Sequence, residues 1–161
     1  MSRVSAGQPH KVTSAKAALV AGTTTTYTTT VAFDHAIDGK WGTQFATKTN
    51  QATPTTDART GATFTALAAS KGSVYVWCTT AGGTVKVLEG SIESLDAANE
   101  FKVAPQFPVV PDTLVPFGYT VIENGSTGSS WTFGAGNWTA TGLVDTFVDV
   151  AGVLPARPVE D

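Results

Sequence analysis

The side chains able to do chemistry in this chain are few and scattered. Two histidines, His10 and His35, are the only imidazoles. His10 sits in a polar N-terminal stretch. His35 lies between Phe33 and Ile37 in an alternating segment, where a partly buried structural histidine is expected. A metal site needs several converging ligands, and neither histidine has a Cys or His neighbour in sequence. Asp145 and Asp149 form a carboxylate pair on paper. Glycoside hydrolysis uses two carboxylates roughly 5 to 9.5 Å apart. On a strand, residues four apart lie ~13 Å from each other, so both are read as solvated. Glu89 and Glu93 are read as straddling a turn. Asp34, Asp38 and Gly39 suggest a calcium loop but lack its further spaced acidic ligands.

Other motifs fail in the same way. The glycines of GAGNWTATG, residues 134–142, are followed by neither a P-loop lysine nor a predicted helix. A glycine-relieved strand or bulge is the expectation there. Cys78 lies on an apolar strand face with no adjacent histidine and reads as a buried thiol. No serine occupies a G-x-S-x-G elbow. Asn124 and Asn137 open formal glycosylation sequons with no leader segment to make them meaningful. No catalytic residue, cofactor site or metal site is therefore expected.

The four tryptophans carry one positive possibility. Aromatic rings on the outside of a β-sheet stack on the flat apolar face of a sugar. Alternation sets Trp77 opposite Val76 and Cys78, which allows it an outer face. Trp131 and Trp138 lie on a second candidate strand, and Trp41 follows a turn. Core or interface packing is the competing reading for each.

These side chains must be positioned by strands. Charged residues make up only 14% of the chain, against about 25% in ordinary soluble domains. Threonine fills the gap, at about one residue in six, and favours pleated, half-buried positions. The net charge of −3, with no basic run, leaves no electrostatic footprint for nucleic acid. One cysteine cannot form an internal disulfide, which fits a reducing compartment. The start has neither a signal-peptide pattern nor a membrane span, so no membrane partner is expected.

Residues 1–12 read as a flexible N-terminal arm. Residues 13–21 fit a short helix or a strand. From Tyr27 to Ile37 the sequence alternates, with Tyr27, Thr29, Val31, Phe33, His35 and Ile37 on one face. Asp38-Gly39 is a hairpin turn, and Trp41, Thr43 and Phe45 return the chain. Residues 46–62 read as a long polar loop, after which Phe64 and Leu67 rejoin the core. Residues 73–92 form the clearest hairpin, turning at Ala81-Gly82-Gly83. Residues 91–100 could hold a helical turn. Strands are expected over GYTVIEN, WTFGAGNW and ATGLVDTFVDV, and residues 152–161 read as a stiff extended tail.

Seven to nine short strands with no long helix predict an all-β chain. The expected arrangement is a single antiparallel β-sandwich or jelly-roll-like domain over residues 13–151, with extended N- and C-terminal arms.

Between Ala104 and Phe117 four prolines alternate with apolar residues. Pro105, Pro108, Pro111 and Pro116 each fix their own φ and push the preceding residue toward extended geometry. Proline cannot donate to a ladder, so an edge or crossover is predicted rather than a central strand. The stretch either packs across its own domain or presents a pre-ordered arm to another subunit, where stiffness lowers the ordering cost. Candidate partner contacts are Phe107, Pro108, Val110, Pro111, Leu114 and Pro116. Trp77, Trp131, Trp138, Leu154 and Pro155 join them.

The succession SVYVWCTTAGGTVKVLEG, PQFPVVPDTLVPFGYTVIENGST and SSWTFGAGNWTATGLVDTFVDVAGVLPARP resembles small structural proteins of tailed bacteriophages. It is most similar to those that decorate or cement the capsid exterior. The resemblance spans residues 73–158; the first seventy residues carry none of it. It implies a non-enzymatic β protein, assembled in the host cytoplasm, that binds the major capsid protein as a homodimer or homotrimer on the outside of the virion. Another virion part, such as a head-fibre base or tail-associated domain, is the second expectation. A carbohydrate-binding β-sandwich module is the third, and a hydrolase the last.

Overall fold

The computed structural model describes residues 10–158. Ten strands and no helix are found among them, so none is long and apolar enough to cross a membrane. The all-β expectation holds. All the strand pairing within the three sheets is antiparallel.

The central sheet has four strands: β7 (Lys71–Thr80), β8 (Val85–Ser94), β9 (Leu114–Asn124) and β10 (Leu143–Asp149), in the order β10-β9-β7-β8. The β7–β8 hairpin turns where Ala81-Gly82-Gly83 was expected to turn it. Alternation along β7 sends Tyr75 and Trp77 to one face and Val74, Val76 and Cys78 to the other, as predicted. Both faces are buried: Gly72 to Thr79 are all inaccessible. Trp77 is 0% exposed, so the outer-face placement allowed by alternation is wrong. A period of two separates faces but does not say which face meets water.

One side of this sheet carries the main core, in which Tyr75, Trp77, Phe117 and Ile122 meet Leu19, Tyr27, Phe33, Phe45, Phe64 and Phe133. The cover on this side includes a small sheet of β2 (Leu19–Ala21), β3 (Thr26–Thr29) and β6 (Lys48–Ala52), in the order β2-β3-β6. The threonine run helps join the middle strand β3 to β6, where the register is irregular: Thr28 and Thr29 hydroxyls accept the backbone N–H groups of Asn50 and Lys48. Residues 46–62 are thus not all loop, because β6 lies within them. The other side of the central sheet carries a second core of Val74, Val76, Cys78, Leu88, Tyr119 and Val121.

The third sheet joins β1 (Lys11–Thr13), β4 (His35–Ile37) and β5 (Lys40–Trp41), in the order β1-β4-β5. Asp38 and Gly39, both with positive φ, close the expected two-residue β4–β5 turn. The single strand predicted over residues 27–37 is broken. The chain leaves β3 after Thr29 and enters another sheet at His35. Even so, Tyr27, Thr29, Phe33 and His35 are buried, while Val31 is exposed.

Several local expectations give way to tertiary pairing. No helix forms over residues 13–21, since Thr13 pairs with His35 and Leu19 with Thr29. None forms over 91–100, where β8 runs to Ser94. The Asp96 carboxylate then accepts the N–H groups of Ala98 and Glu100 in a turn. Glu89 and Glu93 therefore lie within one strand and straddle no turn. Residues 131–138 form turns rather than a strand. Pairing also begins at Lys11, inside the stretch read as an arm; residues 1–9 and 159–161 lie outside the described residues.

The prediction that proline excludes a central strand is overturned at Pro116. It is buried inside β9 and pairs with Cys78 of β7, just beyond Gly118, where the β10 ladder ends. The register shifts at this point, so that Trp77 faces Gly118 while Cys78 faces Pro116. The Pro116 nitrogen shares the side of its carbonyl, which accepts the Gly152 N–H of the tail where β10 has ended, so no ladder hydrogen bond is lost.

Candidate binding surface

The proline segment sits across the second face of the central sheet. The Phe107 ring meets Tyr119 edge-on at a 5.0 Å centroid distance. Phe101, Phe107, Val110 and Leu154 all pack on the second core. The crossover reading therefore describes the inner side of this segment. Leu114 and Pro116 point inward within β9 and are buried. Trp131 and Trp138 are also core residues, at 3% and 4% exposure. Their indole N–H groups donate to the Asn137 and Thr26 carbonyls. Of the eleven residues proposed to touch a partner, Trp77, Trp131, Trp138 and Leu114 are thus inaccessible in this chain; Pro116 is buried as well, though it borders the groove described next.

The outer side of the segment is different. Pro108, Val109, Val110 and Pro116 line a groove of about 420 Å³ with His10, Lys11, Gly152, Val153 and Leu154. Here the proline segment and the C-terminal tail, two stiff apolar stretches separate in sequence, come together. Val109 and Val153 stand at its rim, 69% and 72% exposed. Pro155 is exposed nearby in sequence but does not line the groove.

Two devices hold the groove's walls. Lys11 Nζ donates to the Pro111 carbonyl at 2.8 Å and reaches the Val110 carbonyl at 3.4 Å. This pins the proline segment to β1. Partial burial lowers the Lys11 pKa from its ordinary value, against the pull of Asp112, Cys78 and Asp38. Gly152 lets the tail cross β1 at close range. Its φ is +89°, and a Cβ there would stand 2.7 Å from the Lys11 carbonyl oxygen. Its N–H donates to the Pro116 carbonyl, and Val153 and Leu154 follow directly.

The groups with chemical potential are used structurally. His35 is fully buried, more so than the sequence implied, with Nε2 3.0 Å from the Thr80 carbonyl. Nδ1 has no partner among the described residues. Asp149, expected in solvent, accepts the Leu19 N–H at 3.0 Å and ties β10 to β2. Asp145 is half-buried, and burial raises its pKa above the carboxylate norm. Glu89 accepts both the backbone N–H and the hydroxyl of Thr65; burial still pushes its pKa up. Cys78 is fully buried, and desolvation drives its thiol pKa far upward. Among the described residues no group of three His, Cys, Asp or Glu converges as a metal site.

Comparison with known proteins finds no matching family model, no matching curated protein and no matching solved structure. His10, Lys11, Val109, Gly152 and Val153 were absent from the sequence-derived contacts. Lys11 meets its partner 100 positions away, and nothing local marks such a pairing.

Proposed function

We propose that this chain is a non-enzymatic structural protein of a virion. It binds the outside of a tailed-phage capsid and stabilises it. The observation that supports this reading is the groove between the proline segment and the C-terminal tail, with Val109 and Val153 exposed at its rim. Prolines make its outer wall rigid, so docking a partner orders little additional chain. Exposed valines on such a wall lose water without the desolvation cost that charges would carry. The resemblance of residues 73–158 to capsid decoration proteins supplies the partner class: the major capsid protein, with further copies of this chain as a dimer or trimer.

In this reading the three sheets form a sandwich-like body that carries the groove. The mechanism is adhesion. Each contact buries on the order of 1,200–2,000 Å² across neighbouring shell subunits, and many symmetric copies act together. Assembly takes place in the host cytoplasm.

The test compares shells of the phage whose genome encodes this chain, with and without the purified protein. Stoichiometric binding and a raised shell-disruption temperature are expected, and V109D/V153D should lose both. Recovery of the protein only in tails would replace this reading with a head-fibre or tail-associated role.

A further inference from the structure

Of the four tryptophans, three are buried and one is not. Trp41 is 68% exposed, against 0%, 3% and 4% for Trp77, Trp131 and Trp138. It sits on β5. A single exposed apolar residue is ordinary. Trp41, however, is one wall of a second cavity, of about 490 Å³, which it shares with Ile37, Asp38, Lys40 and Asp112.

The chemistry of these walls is specific. The indole and Ile37 offer apolar surface. Asp38 and Asp112 offer carboxylate oxygens, and Lys40 offers an ammonium donor. One Asp38 oxygen accepts the His10 N–H at 3.0 Å, which orients the carboxylate on its turn. Lys11 lies close enough to both aspartates to feel their charge. The lining itself carries two carboxylates and one ammonium, and Lys11, outside the cleft, offsets part of the remaining negative charge, so no strong charge of either sign is left to select an ion. An exposed flat ring bordered by paired acceptors and a donor suits a ligand with one apolar face and a rim of hydroxyls.

We infer that the Trp41 cleft binds a neutral gluco-configured saccharide, one ring stacked on the indole with its hydroxyls bonded to Asp38, Asp112 and Lys40. The equatorial hydroxyls of such a ring leave C–H bonds on its faces, which match the indole. The carboxylates accept hydroxyl protons, the stronger charge-assisted kind of hydrogen bond. This site uses none of the groove's exposed valines and stands apart from the shell-binding reading. A chain that adheres by one surface and binds glycan by another would be bifunctional.

The experiment exploits the burial of the other three indoles. Cellohexaose and chitohexaose are titrated while tryptophan emission and its quenching by acrylamide are followed. One of them should shift the emission to the blue and shield the accessible indole. W41A should abolish the response, and D112N should weaken binding about tenfold, as loss of a charged hydrogen bond does. V109D/V153D should bind saccharide normally, which separates failure of this site from failure of the groove. No response up to about 10 mM, where even a millimolar Kd would show, overturns the inference. So does an unchanged titration in W41A. A change of oligomeric state in W41A with no saccharide response also overturns it, and makes the face an interface between copies.

Discussion

The indole N–H of Trp77 on β7 donates to the Thr120 hydroxyl on neighbouring β9 at 2.8 Å, and both residues are 0% exposed. A tryptophan in the middle of a core needs a partner for its one polar atom. The inward-facing threonine beside it supplies one.

Replacing that threonine tests the bond. T120V keeps the shape and strands the buried N–H, at a cost of about 1–3 kcal/mol. T120S should recover most of the loss. Urea unfolding followed by tryptophan emission reads both variants.

Gly152 holds the tail over β1. In G152A the new methyl meets the Lys11 carbonyl and the backbone keeps a left-handed φ, so destabilisation should exceed about 1 kcal/mol. Because the same residue sets Val153 and Leu154 in place, the shell binding proposed for the groove should weaken beyond what the loss of stability explains. Paired urea and binding measurements on G152A separate the two effects.

Asp145 and Glu89 give stability an unusual pH slope. Burial raises both folded pKa values above the ordinary 3.8 and 4.5. In that window the folded chain keeps protons that the unfolded chain has released, so unfolding releases protons and stability falls as pH rises. The decline should begin near pH 4 and level off above the folded values. D145N removes its share of the slope. E89Q removes its own share while keeping an acceptor for the Thr65 N–H. Urea midpoints measured across the acid range check the sign.

Cys78 should be silent in the native state. It is fully buried, and its thiol pKa is driven upward by desolvation. A thiol-specific chromogenic reagent should react with none of the folded protein and with one equivalent per chain in denaturant. Rapid reaction under native conditions would contradict the burial.

The sequence by itself determined the local grammar. The all-β class follows from its threonine content, its short alternating runs and its turn residues. The β7–β8 hairpin, the Asp38-Gly39 turn and the burial of Phe64, Leu67 and Cys78 follow from neighbours a few positions apart. What the alternation at Trp77 could not contain was the number of covered faces, because that depends on segments elsewhere in the chain. The same limit hid Pro116, whose bulge exists only in register with β7. It hid the groove too, since Lys11 meets Pro111 across 100 positions, and it hid the tie between β2 and β10, since Leu19 meets Asp149 across 130. Period and propensity act within a strand. Whether a tryptophan faces water or core is decided by which distant segments fold over it, and only the tertiary structure left Trp41 outside while enclosing the other three.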